Sequence, residues 1–160
     1  MLSEQQIAHV WENMIAAETR ALYFADLAAS YTRRKQWITG LTFFLSSGAA
    51  VALLAKAPTG VPVVFALIVA AASAYTIAVN LDGKIATMAK LHTAWQVIAT
   101  QYDQLWNHTW AEDAEGVFYR IVERECDPSE LAVAAAPNDE ARMAQWQDRV
   151  FALRHLNTPA

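Results

Sequence analysis

The residues best placed for chemistry in this chain form two short polar stripes inside otherwise apolar sequence. Thr39, Thr42 and Ser46 stand at i, i+3 and i+7, and Ser73, Thr76 and Asn80 repeat that spacing. On a helix each trio shares one face. Hydroxyls and an amide so arranged can line an aqueous path when several copies surround an axis. They fit a plainer account equally well, in which the hydroxyls bond to carbonyls of their own helix and Asn80 marks an interface. Neither span contains an Asp, Glu, Lys, Arg or His, one of which proton relays, ion-coupled carriers and voltage sensors normally need. What remains is a passive pore or a simple anchor.

Other chemistry is sparse. His9, His92, His108 and His155 are scattered, and only His108 has acidic helical neighbours, Asp103, Glu112 and Glu115. One imidazole with carboxylates is a weak metal signature, and a solvated helix face accounts for it. Cys126 has no histidine at a recognisable spacing, and no glycine-rich phosphate loop is present. The sequence therefore predicts no catalytic residue, no metal site and no cofactor. A lone cysteine leaves no internal disulfide and fits a reducing compartment. A net charge of −4 disfavours nucleic acid as a partner. Carboxylates crowd the segment 103–140, where only Arg120 and Arg124 oppose them, as on an ordinary solvated surface.

The polar stripes are carried by the gap between Lys35 and Asp82, in which Lys56 is the only charge. Lys56-Ala57-Pro58-Thr59-Gly60 reads as a turn, so the gap splits into spans at about 37–55 and 61–80 around a turn at 56–60. A membrane-spanning helix needs roughly 20 mostly apolar residues, and both stretches suffice. The predicted fold is an all-α membrane protein: a two-transmembrane helical hairpin (36–81) extended by cytoplasmic helical arms (1–35 and 82–115) and short C-terminal helices (116–160). The competing reading buries both apolar helices in a soluble bundle, but the remaining amphipathic helices are too few to cover them on every side.

Basic residues set the orientation. Arg33, Arg34 and Lys35 precede the first span, and Lys84 and Lys90 follow the second. By the positive-inside rule both termini are cytoplasmic, in a multi-pass inner-membrane protein. Ala66, Ala70, Ala74 and Ala78 recur every fourth residue, and Gly48 and Ala52 offer a matching patch on the first span. Small residues at this spacing let helices approach closely in lipid. Self-association is expected, because one hairpin has too little surface to enclose a path.

Ser3-Glu4-Gln5-Gln6 has the form of a capping box, and no glycine or proline follows before Gly40. One helix is thus expected from Glu4 to about Ala55. Ile7, Val10, Met14, Ala17, Ala21, Phe24, Ala28 and Tyr31 form a 3-4 spaced seam, and Met88, Leu91, Trp95, Ile98, Tyr102 and Leu105 form a second. These seams suit antiparallel pairing of the arms, within one chain or between subunits. Gly83 is a candidate kink, and Gly116 a helix stop. Asp127-Pro128-Ser129-Glu130 reads as a capped helix start, and 139–156 as a last amphipathic helix with Met143, Trp146, Val150 and Leu153 or Leu156 on its apolar face.

The layout Tyr23-Phe24-Ala25-Asp26-Leu27-Ala28-Ala29-Ser30-Tyr31-Thr32-Arg33-Arg34-Lys35, a span, a short turn, a second span and a helix bearing Trp95, Trp106 and Trp110 resembles the bacterial two-transmembrane SLATT effector domains. The resemblance covers about Glu4 to Glu112 and transfers no site residue. It implies a membrane effector of bacterial defence or conflict systems that oligomerises and perturbs or perforates the inner membrane. It also implies a separate nucleotide-synthesising or nucleotide-sensing partner. The functional expectation is a homo-oligomeric pore-forming or membrane-disrupting effector. The rival is a membrane-anchored scaffold or accessory subunit whose arms dock another protein.

Overall fold

The computed structural model describes residues 1–47 and 60–154, and all regular structure among them is α-helix. In chain order the helices are α1 (Glu4–Ser46), α2 (Gly60–Val79), α3 (Leu81–Trp106), α4 (Ala114–Arg124), α5 (Cys126–Ala135) and α6 (Glu140–Leu153). One helical stretch, beginning at Gly60, is long and apolar enough to cross a membrane. Gly48, Ala52, the turn at 56–59, His155 and Leu156 lie outside the described residues.

The capping box opens α1 as the sequence predicts. The Gln6 amide donates to Ser3 Oγ at 3.3 Å, and the Ser3 amide donates to Gln6 Oε1 at 2.8 Å. Two backbone donors that no helical carbonyl can reach are thereby satisfied.

The chain divides into two compact units, Met1–Leu27 with Ala86–Ala160, and Ala28–Ile85. In the first unit the predicted seams supply much of the core, although Ile7 is only half-buried. Val10, Met14, Ala17, Ala21 and Phe24 of α1 are buried, as are all six seam residues of α3, from Met88 to Leu105. Each large apolar side chain so buried contributes about 1.5–3 kcal/mol. The arms run antiparallel within one chain. The Leu2 amide bonds to the Thr109 carbonyl, the Trp11 and Trp106 rings meet at a tilt of 49°, Asn13 Nδ2 donates to Tyr102, and His92 Nδ1 meets the Ala21 carbonyl. Intrachain pairing is one of the two arrangements the spacing permits.

The C-terminal helices depart from expectation in detail. Gly116 does not stop a helix. α3 ends at Trp106, turns occupy 107–113, and Gly116 sits in the first turn of α4. Asp127 does not cap α5 either, because Glu125 keeps helical φ and ψ of −70° and −21° and its amide still bonds to Ile121 and Val122. α5 therefore starts at Cys126, and Asp127 and Pro128 fall inside its first turn. Asp139 does cap α6, accepting from the Arg142 amide at 3.1 Å. Along α6, Val150 is buried and Met143 and Trp146 are half-buried, whereas Leu153 is exposed.

Candidate functional site

The smaller unit, Ala28–Ile85, holds every described residue of the predicted spans. No residue of α2 is buried. Among its half-covered positions Pro62, Phe65, Val69, Ala72, Thr76 and Val79 recur at 3-4 spacing, as do Tyr31, Lys35, Ile38, Thr42 and Leu45 among those of α1. This 3-4 spacing is that of a helix-packing stripe, and it marks one face of each apolar helix. Trp37 and Ile77, each 80% exposed, Phe43, Phe44 and Leu67 point away from these stripes.

The six polar candidates separate on this division. Thr42 and Thr76 lie on the half-covered stripes, while Thr39, Ser46, Ser73 and Asn80 are exposed. Thr42 Oγ1 donates to the Ile38 carbonyl at 2.8 Å, Thr76 Oγ1 donates to the Ala72 carbonyl at 2.9 Å, and Ser46 Oγ donates to the Thr42 carbonyl. Each of these hydroxyl protons is engaged one turn back on its own helix, the arrangement of the plainer account. Ala66, Ala70, Ala74 and Ala78 are all exposed, on a face distinct from the half-covered stripe.

Asn80 is the joint between α2 and α3. It adopts φ of 47°, in the left-handed region that Asn tolerates better than other side chains. Its amide bonds to the Ile77 carbonyl at 3.1 Å, and its Oδ1 accepts from the Gly83 amide at 3.1 Å, an N-cap on α3. Gly83 is needed for that cap: a Cβ there would come within 2.9 Å of Asn80 Oδ1. The interruption thus falls at Asn80, one turn before the glycine that the sequence reading marked. Beside it Lys35 pairs with Asp82 at 2.5 Å, and Lys84 lies 5.9 Å from the Tyr31 ring centre. These exposed contacts contribute about 0–1 kcal/mol each.

In the larger unit two polar clusters fasten α6 to the first arm. Asp26 Oδ2 accepts from Arg142 Nη2 at 2.7 Å, Arg142 Nε at 2.8 Å and Trp146 Nε1 at 3.2 Å. Arg154 Nε donates to Glu18 Oε2 at 2.8 Å, and Arg154 Nη1 lies 3.5 Å from Asp103 Oδ1. Tyr23 donates to the Pro137 carbonyl at 2.7 Å. Sequence reasoning missed these pairs because the partners are far apart in the chain; Asp26 alone in the arm looks like any solvated acid. Burial first, then the neighbouring Glu125 carboxylate, pushes the Tyr102 phenol far above its ordinary value of 10.0.

His108 Nδ1 meets the Gln104 carbonyl at 2.9 Å, within its own helical turn, and Cys126 is exposed. Among the described residues no group of three His, Cys, Asp or Glu side chains is close enough to hold a metal ion. No protein-family model, curated protein or solved structure matches the chain.

Proposed function

We propose that the chain is a two-span inner-membrane protein, both termini cytoplasmic, acting as a homo-oligomeric pore-forming or membrane-disrupting effector. The carrying observation is that α2, predominantly apolar and without a charged residue, buries none of its residues. In water such a surface is penalised by about 25 cal/mol per Å². A helix apolar all round belongs in a protein core or in lipid, and this one is in no core of its own chain. The apolar end of α1, with Trp37, Phe43 and Phe44 outward, supports a second span.

The half-covered stripes of α1 and α2 pair the two helices into a hairpin. That leaves the face of Ala66, Ala70, Ala74 and Ala78 for a neighbouring copy. Of the polar candidates, Thr39, Ser46 and Ser73 are then available to line a shared path, and Thr42 and Thr76 belong to the hairpin's own packing. The resemblance to SLATT effector domains supports the same role, with a separate nucleotide-synthesising or nucleotide-sensing protein as trigger. Such a trigger acts only by favouring one arrangement of the hairpins over another.

Purified protein in planar bilayers tests the proposal. Conductance is expected, altered by Thr39→Leu or Ser73→Leu and unchanged by Thr42→Val or Thr76→Val. No conductance under any condition, and no loss of membrane potential on expression, would remove the pore. The scaffold reading is favoured by the engaged hydroxyls of Thr42, Ser46 and Thr76. It predicts a stable heteromeric complex and an intact membrane potential.

A further inference from the structure

A cavity of about 440 Å³ opens where α1, α3 and the corner between α5 and α6 meet, wholly within the larger unit. Its size falls within the range of about 300–1,000 Å³ typical of small-molecule sites. The apolar part of the wall includes Phe24 and Met143. Among the described residues, Arg20 is the one lining residue that carries a charge at neutral pH, and no carboxylate lines the cavity.

Arg20 and Trp95 adjoin in the wall. Trp95 is only 1% exposed, yet its indole Nε1 is buried with no hydrogen-bond partner. A buried N–H left in that state costs about 1–3 kcal/mol, and such a group calls for a specific explanation. The Arg20 guanidinium lies 4.5 Å from the centre of the same indole ring and takes part in none of the described ion pairs. Arg142 and Arg154, by contrast, are both paired with carboxylates. Glu125 lies beside Tyr102 and does not line the cavity. Ser129 adds a hydroxyl to the wall.

We propose that this cavity binds a small organic anion with a flat apolar body, of the aryl carboxylate or aryl phosphate class. The anionic head takes the planar N–H fork of Arg20, which suits both head groups. The flat body packs against Met143 and the exposed Val133 of the same wall. Because α1, α3, α5 and α6 all border the cavity, an occupant stabilises the docked state of the C-terminal helices. The site stands on the geometry of this unit alone and does not depend on the pore.

Calorimetric titration of the full-length protein in detergent with benzoate, phenyl phosphate and neutral benzyl alcohol tests it. At least one anion is expected to saturate a single site with Kd of about 1 mM or tighter, and benzyl alcohol to bind at least about tenfold more weakly. The stronger of the two anions identifies the head group. Arg20→Gln is expected to weaken that binding about tenfold or more. Trp95→Phe, which offers the Arg20 guanidinium a weaker aromatic face, should weaken it a few-fold, with helicity by circular dichroism unchanged. Should Arg20→Gln lose helicity, Arg20→Lys replaces it with the same expectation, since it keeps the charge and loses the fork. Absence of saturable binding by both anions, equal binding of benzyl alcohol, or wild-type affinity in both variants overturns the proposal.

Discussion

Asp26 offers the sharpest test of how the C-terminal helix is held. Its Oδ2 accepts three N–H donors, two from Arg142 and one from Trp146. Both side chains of the ion pair are 26% exposed, between the surface case, about 0.2–1 kcal/mol, and the buried case, about 3–5 kcal/mol. A value of about 2 kcal/mol is therefore reasonable for the pair, and losing the acceptor of Trp146 adds about 1 kcal/mol. Asp26→Ala should thus cost about 2–3 kcal/mol. Whole domains are stable by about 5–15 kcal/mol, so the loss is sufficient to open α6 without unfolding the arms. In hydrogen exchange, amides of α6 should lose protection by roughly 30- to 150-fold, at a factor of ten per 1.4 kcal/mol. Amides of α3 around the buried seam should change far less. The double variant Asp26→Ala with Arg142→Met should be less destabilised than the two single losses combined. Unchanged protection in α6, or an equal fall in α3, would refute the view that this cluster is a local fastening.

Three further outcomes follow from the same geometry. The raised Tyr102 phenol is protonated in the folded state at pH values where an unfolded tyrosine ionises, so stability should be level below pH 10.0 and decline as pH rises further; Tyr102→Phe should flatten that alkaline decline in pH-dependent denaturation. At the joint, Asn80→Gly should cost only a few tenths of a kcal/mol, and Asn80→Ala about 1–2 kcal/mol, since alanine loses the cap and resists a φ of 47°; Gly83→Ala should come out near zero in thermal unfolding, its gain in helix propensity of about 1 kcal/mol offset by the displaced cap. If copies pack through the alanine face, Ala70→Ile with Ala74→Ile should reduce cross-linked oligomers in membranes while leaving helicity intact, and an unaltered cross-linking ladder counts against that face.

Much of the candidate machinery in this chain was open to local reading. The apolar stretch of α2 shows in composition because lack of charge over many consecutive residues needs no partner to be recognised. The capping box at Ser3 and Gln6 spans one turn, and the six seam residues of α3 declare themselves by spacing alone. The local pattern at Asp127 does not produce a cap, because a helix start depends on whether the preceding residues leave helical geometry, and Glu125 does not. The two threonines at Thr42 and Thr76 share the spacing of Thr39 and Ser73, yet helical periodicity does not reveal which side of a helix its partner occupies.

From its residues alone the chain was bound to be helical, with a long apolar helix and two amphipathic arms, since these follow from interactions among residues a few positions apart. Folding in three dimensions decided that the arms pair within one chain, that Asp26 meets Arg142 and Trp146, and that Arg20 and Trp95 share a cavity without a carboxylate. Those outcomes depend on which distant side chains share a buried space, and neither hydrophobic period nor charge pattern along the sequence carries that information.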